Sequence, residues 1–219
     1  TIRRKHGINQ KHLLFSLDPI VNQEEIRDTS AASGGSGSFF FFSSNGKYII
    51  KTIRREEKKV FLKILPKYHD YIMTHSNSLL TRVFGIFKVR SFVSNPIYLL
   101  LMENIHQVPH QFIQANYDLK GSTYHRYTDN DAESTDEENE AAWKKILKDV
   151  NFLEREKTVQ LHADDCSRLQ FQLEQDIQFL LSVKVMDYSI SLVKAHMPAR
   201  LLEEYDSFPF VSRNILTTQ

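Results

Sequence analysis

Four short segments of the sequence carry groups that could bind and transfer a phosphate. Residues 30–38 are rich in glycine and serine, and their backbone N–H groups could approach a phosphate closely. Lys51 lies in an apolar segment, where an ammonium group is costly unless an anion pairs with it. Lys120 precedes Gly121-Ser122, and Asp187 follows a long amphipathic segment. Two cations for phosphate oxygens and a carboxylate for a hydroxyl proton would suit phosphoryl transfer.

Each of these segments also has a purely structural interpretation. The glycine-rich loop could be a flexible linker. It is not a Walker A motif, because no Gly-Lys-Ser/Thr follows, and no helix opens directly after it as a dinucleotide fold requires. Lys51 could be a lysine on the outer face of a strand. Gly121-Ser122 and Asp187 are typical of turns. The segments therefore indicate a phosphate site only when they are taken together.

The elements that would position these groups predict an α+β chain whose first half is mainly an antiparallel sheet. Asn45-Gly46 is typical of a hairpin turn. Apolar spacings of three and four predict helices over residues 54–75 and 164–183, and Pro66 should end one helix and begin another. Glu56 or Glu57, early in the first helix, could hold Lys51. Strands are predicted at residues 39–42, 47–53, 82–90, 97–103, 114–120 and 189–193.

Composition and charge narrow the class of protein. The 219 residues are 41% hydrophobic and 25% charged, which excludes wholesale disorder and a fibrous protein. Seven of the 27 acids lie in residues 129–140, so the remainder carries a net charge of about +8 and should attract anions. The single Cys166 excludes a disulfide framework. Neither a signal peptide nor an apolar run of membrane-spanning length is evident, so an intracellular, soluble protein is expected.

The predicted helix after Lys51 carries six cations. They form either an ordinary solvated face or a surface that attracts anionic lipid, at about 1 kcal/mol per charge near such a membrane. The six are Arg54, Arg55, Lys58, Lys59, Lys63 and Lys67.

Taken in order, the motifs resemble the phosphatidylinositol phosphate kinase family, types I and II in particular. The similarity runs from about Ile2 to His196. The motifs read SGGSGSFF, GKYIIKTI, NYDLKGSTYHR and VMDYSISLV. The connecting segments EEKKVFLKILPKYHDYI, SLLTRVFGIFKV, LLLMENI and LKDVNFLE are similar as well.

This resemblance implies a two-lobed, protein-kinase-like α+β fold with antiparallel sheets, and ATP and Mg²⁺ as cofactors. The N-terminal lobe would span residues 1–104. A partial C-terminal lobe would span residues 105–219, with an acidic insertion at about 128–141.

The resemblance also implies roles for individual residues, which would converge around one triphosphate. Asp187 would take the place of the protein-kinase catalytic aspartate, Lys120 would lie near the transferred phosphate, and Lys51 would contact the ATP phosphates. The other binding residues would come from the glycine loop and from the hinge that meets adenine: Gly34, Gly35, Ser36, Gly37, Ser38, Met102, Glu103 and Asn104.

Two features depart from the family pattern. Gly35 stands where the family usually has a lysine in its glycine loop. The Ile-Ile-Asp string whose aspartate binds magnesium in the family does not occur here, so the metal ligands are unknown. Either the fragment stops short or this form cannot bind its metal normally.

The implied reaction transfers the γ-phosphate of ATP to an inositol-ring hydroxyl of a phosphatidylinositol monophosphate, giving a bisphosphate. The enzyme would be cytoplasmic and peripheral on the anionic, cytosolic face of membranes, would not bind nucleic acid, and could be a homodimer, as is common in the type II branch. Two alternatives stay open. One is a catalytically inactive kinase-fold module that binds anionic membrane or partners, and the other is a soluble inositol-phosphate kinase.

Overall fold

The computed structural model describes residues 1–22, 39–90, 95–105, 108–129 and 145–198. The chain divides into two compact units, residues 1–107 and 108–219, and each has its own sheet. Mixed helices and sheets confirm the α+β class. No helix within the described ranges is both long and apolar enough to cross a membrane. The predicted glycine loop and most of the predicted acidic insertion lie outside the described residues.

The first unit contains a four-stranded antiparallel sheet in the order β1-β2-β4-β3. Its Asn45-Gly46 turn is confirmed: Gly46 has a φ of +66°, in the region that glycine adopts without strain, and its N–H donates to the Ser43 carbonyl at 2.8 Å. Buried side chains of the sheet, among them Phe41, Tyr48, Ile49 and Leu101, belong to the core of this unit. The strands are β1 (Phe40–Phe42), β2 (Tyr48–Ile53), β3 (Val83–Val89) and β4 (Ile97–Glu103).

The long helix of the first unit, α3 (Arg55–Thr74), is continuous, so the predicted break at Pro66 is wrong. Proline leaves the carbonyl of Leu62 without its helical N–H partner. Both residues are exposed, so water can bond that carbonyl and the helix need not end there. At the other end, the Glu57 carboxylate accepts the Arg54 N–H at 2.7 Å and so caps the first turn of the helix.

Two short helices precede the sheet, α1 (Ile2–Lys5) and α2 (Gln10–Ser16). The sequence did not predict them, because one or two turns are too short for a periodic apolar pattern. Lys5 Nζ donates to the carbonyls of Ile72 and Met73 at 2.9 Å each, in the last turn of α3, where a cation is favourable. Asn45 Nδ2 donates to Ser16 Oγ at 2.6 Å, which attaches the hairpin turn to α2.

The second unit contains a three-stranded sheet in the order β6-β5-β7. Strand β5 (Ile113–Leu119) pairs in parallel with β6 (Ile146–Leu147) and antiparallel with β7 (Ile190–Ala195). Helices α4 (Asp149–Arg155) and α5 (Ala163–Ser182) complete the unit. Ala115, Tyr117 and Leu147 form the core, and Phe152 of α4 meets the Tyr117 ring edge-on with centroids 5.4 Å apart. The core thus fixes α4 against the central strand.

Candidate active site

The pairing of β5 with β7 brings the DLKGS and MDYS motifs together. Leu119, the last residue of β5, lies opposite Ile190, the first residue of β7. Lys120 follows directly after β5, and Asp187 lies three residues before β7. Lys120 Nζ donates to Asp187 Oδ1 at 2.5 Å. Antiparallel register therefore brings together two charged residues that are far apart in the sequence.

The Lys120–Asp187 pair lies at the surface of the second unit. The Lys120 side chain is 29% exposed and the Asp187 side chain 79%. A pair this accessible contributes little to folding, since exposed ion pairs are worth about 0–1 kcal/mol. It can, however, contact a ligand, and its ammonium group has three N–H donors, of which one is used by Asp187.

Asp187 has a left-handed backbone, with a φ of +61°. This region is strained for most residues but is tolerated by aspartate and asparagine. The turn interpretation and the candidate site are therefore compatible, because the same conformation that reverses the chain presents the carboxylate to Lys120. Met186, the preceding residue, is 85% exposed, so it does not cover this carboxylate.

The DLKGS loop (residues 118–122) is held by Asp149, the first residue of α4. Its Oδ1 accepts the N–H groups of Lys120 at 2.9 Å and Gly121 at 2.7 Å. Its Oδ2 accepts Nε–H of Arg126 at 2.8 Å. Burial alone would raise the pKa of the Asp149 carboxyl, but these hydrogen bonds outweigh it and hold the pKa below its usual value.

A second link joins the two motifs through Asp118. Arg126 donates to both the backbone carbonyl and the carboxylate of Asp118, and the Ser189 side chain donates to that carboxylate as well. Burial would raise the pKa of Asp118, yet the bonds from Ser189 and Arg126 lower it. Sequence reasoning singled out neither Asp149 nor Arg126, although both lie within segments quoted for the resemblance.

Lys51 lies on β2 of the first unit, opposite Phe40 and Leu100. Its Nζ is 5.2 Å from the centroid of the Phe40 ring. The predicted ion pair with Glu56 or Glu57 is wrong for the described residues, because the Glu57 carboxylate bonds Arg54 instead. That bond is the main cause of the lowered pKa of Glu57, and the charge of Lys51 contributes least. Within the part of the chain that is described, the ammonium group of Lys51 therefore has no carboxylate partner.

The three residues predicted to form the hinge lie at the end of β4, in the first unit. The Glu103 N–H donates to the Arg82 carbonyl and the Asn104 N–H to the Lys47 carbonyl, each at 2.9 Å. The buried Asn104 side chain donates to the Gly46 carbonyl at 2.7 Å. Met102 pairs with Ile49 within the sheet. These bonds hold the hairpin turn, and the contact with adenine stays a prediction.

The remaining predicted ligands are the five residues of the glycine loop. Gly34, Gly35, Ser36, Gly37 and Ser38 lie outside the described residues. Among the residues that are described, no group of three or more His, Cys, Asp or Glu side chains is arranged to hold a metal ion. Asp187 alone does not make a magnesium site.

Comparison with known proteins identifies the family. A family model described as Phosphatidylinositol-4-phosphate 5-Kinase matches residues 21–204. A probable phosphatidylinositol phosphate kinase of Dictyostelium discoideum is 32% identical over 154 residues, which are 70% of this chain and 20% of that protein. Phosphatidylinositol 4-phosphate 5-kinase 8 of Arabidopsis thaliana is 33% identical over 148 residues, 67% of this chain and 17% of that protein.

A relative named for a different specificity matches to a similar degree. Phosphatidylinositol 5-phosphate 4-kinase type-2 gamma of Rattus norvegicus is 32% identical over 147 residues, 66% of this chain and 32% of that protein. The chain thus spans between about a sixth and a third of these relatives. Since the family model covers most of the chain, this protein belongs to the phosphatidylinositol phosphate kinase family, whose fold is kinase-like and α+β.

Proposed function

We propose that the protein transfers the γ-phosphate of ATP to an inositol-ring hydroxyl of a phosphatidylinositol monophosphate, giving a phosphatidylinositol bisphosphate. The observation that carries this proposal is the contact between Lys120 Nζ and Asp187 Oδ1 at 2.5 Å, in a chain of this family. A cation and an accessible carboxylate at one place are the groups that phosphoryl transfer to an alcohol needs.

In the proposed reaction Asp187 is the general base. Its carboxylate accepts the proton of the inositol hydroxyl while the hydroxyl oxygen forms a bond to the γ-phosphorus. The bond from that phosphorus to the oxygen bridging the β- and γ-phosphates breaks, and ADP leaves. Lys120 orients the Asp187 carboxylate with one N–H and stabilises the negative charge of the transferred phosphate with the others. Mg²⁺, when bound, supplies further neutralisation of phosphate charge.

Lys51 binds the phosphates of ATP in this proposal. Its support is an ammonium group on a sheet strand with no carboxylate partner among the described residues. The glycine loop, Gly34 to Ser38, covers the same phosphates, and Met102 to Asn104 meet the adenine.

A catalytically inactive, membrane-binding module is the second candidate. One observation favours it: Gly35 stands where the family usually has a lysine in the glycine loop. Full-length protein, ATP and vesicles that each contain one phosphatidylinositol monophosphate separate the candidates. The proposal expects a bisphosphate from at least one lipid. Vesicle binding without any product would favour the module, and phosphorylation of a free inositol phosphate without vesicles would favour a soluble kinase.

We further propose that the enzyme works as a peripheral protein on the anionic, cytosolic face of membranes. Support comes from the exposed cations of α3 and from an open groove of about 620 Å³ beside its first turn, whose charged lining residues are three cations, Arg54, Arg55 and Lys88, and one acid, Glu56. Lys58 and Lys88 lie with Nζ 4.6 Å and 6.0 Å from the Tyr98 ring centroid. Several cations on one surface attract anionic lipid.

Charge reversal on this surface should weaken membrane binding. Lys63→Glu changes the charge of exposed α3 by two units, so we expect the vesicle association constant to fall about tenfold or more on phosphatidylserine vesicles. Lys11→Glu makes the same change at an exposed position of α2 and is the matched control. Equal losses for the two variants in vesicle sedimentation would contradict a specific role for α3.

A further inference from the structure

We infer that Asp149 is a positioning residue that fixes the DLKGS loop so that Lys120 reaches Asp187. The inference rests on the proposed function, because it assigns Asp149 a part in the same reaction. Asp149 itself is not a catalytic residue, since it contacts neither member of the pair through their side chains.

The Asp149 carboxylate is buried and bonds the DLKGS loop with one oxygen and Arg126 with the other. One carboxylate oxygen accepts three consecutive backbone N–H groups, from Lys120, Gly121 and, at 3.4 Å, Ser122, and the other accepts Arg126 Nε–H. The side chain of Asp149 is 9% exposed and that of Arg126 is 13% exposed. Hydrogen bonds to a charged, buried acceptor are stronger than neutral ones, so this contact holds the loop more firmly than solvated turn bonds would.

Consecutive N–H groups directed at one oxygen define the path of the backbone at the loop tip. Gly121 allows that path, because its φ is +72°, a region that side-chain-bearing residues adopt only with strain. An added Cβ would meet nothing within 4 Å, so backbone conformation rather than space requires glycine here. With its backbone fixed on both sides, Lys120 leaves the loop in one direction, toward Asp187.

The negative charge of Asp149 helps to hold the loop, in addition to the position of its two carboxylate oxygens. Arg126 lies between two carboxylates, Asp149 and Asp118, and Asp118 also accepts the Ser189 side chain. An asparagine at position 149 would keep an oxygen for the backbone N–H groups. The asparagine NH₂ group would, however, take the place of Oδ2, which accepts the Arg126 Nε–H. Two donors would then face each other, and Arg126 would have no charged acceptor at position 149. Loss of that charge should therefore loosen the loop even if the side-chain volume is unchanged.

The test compares Asp149→Asn with Glu156→Gln in the full-length protein. Glu156 is a second carboxylate just after α4, and it bonds Tyr117 and Lys194 rather than the loop. We expect Asp149→Asn to lower kcat about tenfold to hundredfold, because a small misplacement of a reacting group costs that much, with KM for ATP little changed. Glu156→Gln should keep kcat within about twofold. A normal kcat for Asp149→Asn would overturn the inference.

Two further readouts separate positioning from general stability. In a Lys120→Met background, Asp149→Asn should cause no further loss of kcat, because its effect acts through Lys120. Additive losses would overturn the inference. In amide hydrogen exchange, the Lys120 and Gly121 amides of the wild-type protein should exchange more slowly than that of Thr123, and Asp149→Asn should reduce this protection. Unprotected amides in the wild type would also overturn it, whether or not the variant folds.

Exchange requires no kinase activity, so failure of the two proposals can be distinguished. Protected amides in a protein that transfers no phosphate would refute the proposed function, and the positioning role would fall with it. Normal phosphate transfer by both wild type and Asp149→Asn would refute the positioning role alone.

Discussion

Replacing Asp187 by asparagine in the full-length protein is expected to lower kcat about a hundredfold or more, because the amide cannot accept the hydroxyl proton and general-base catalysis is worth about 10²–10⁴. Folding should be unaffected. Asparagine tolerates the left-handed φ of +61° about as well as aspartate, and its amide oxygen can still accept the Lys120 N–H. Steady-state turnover on lipid vesicles measures the effect.

A matched control for this variant is Asp70→Asn, which makes the same chemical change at an 80% exposed side chain of α3. Its kcat should equal that of the wild type, since a surface change away from the site costs little. If Asp187→Asn also turns over at the wild-type rate, Asp187 is not the base, and the mechanism proposed for the Lys120–Asp187 pair is wrong.

Replacing Lys120 by methionine is expected to lower kcat about 10²–10³-fold, the usual cost of losing one donor to charge that develops in a transition state. Methionine keeps an unbranched side chain of similar length but has no charge and no N–H donor, so Asp187 loses its observed contact and the phosphate the contact that we propose. Single-turnover measurements at saturating ATP isolate the chemical step from binding.

Lys184→Met is the control for Lys120→Met. Lys184 is an exposed lysine three residues before Asp187, and its φ of +57° is as unfavourable for methionine as for lysine. The variant removes the same charge near the site without removing a contact to the carboxylate. A loss of similar size for Lys184→Met would indicate a general effect of local charge rather than a specific role for Lys120.

The longer strands could be predicted well because their signal is local, whereas the two-residue strand β6 (Ile146–Leu147) was not predicted. Strand β4 has the predicted bounds, Ile97–Glu103, and β2, β3 and β5 differ from prediction by one residue at each end or less. Apolar and β-branched runs between turn residues are sufficient for this. The helix break predicted at Pro66 was wrong because it depends on more than local sequence. Whether a proline ends a helix depends on whether water can bond the carbonyl that loses its N–H partner, and the exposure of Leu62 cannot be read from apolar spacing.

The site was harder to predict, because its contacts are long-range. Lys120 and Asp187 meet only because β5 pairs with β7 in a particular register. Spacing gives no such register, and only the resemblance placed both residues in one site. Asp149 was missed because its partners in the loop are backbone N–H groups. Every residue except proline has such a group, so the sequence shows no pattern that would indicate the contact. Glu57 was assigned to Lys51, although a helix-capping role at its position was equally consistent with the sequence.

The most direct test of the central claim is transfer of labelled phosphate from γ-labelled ATP to vesicle lipid by the full-length protein, beside the Lys120→Met/Asp187→Asn double variant. We predict labelled phosphatidylinositol bisphosphate from the wild type and none above background from the double variant. Equal labelling of lipid by the two proteins would contradict the claim, as would unlabelled lipid from the wild type under conditions in which a curated relative is active.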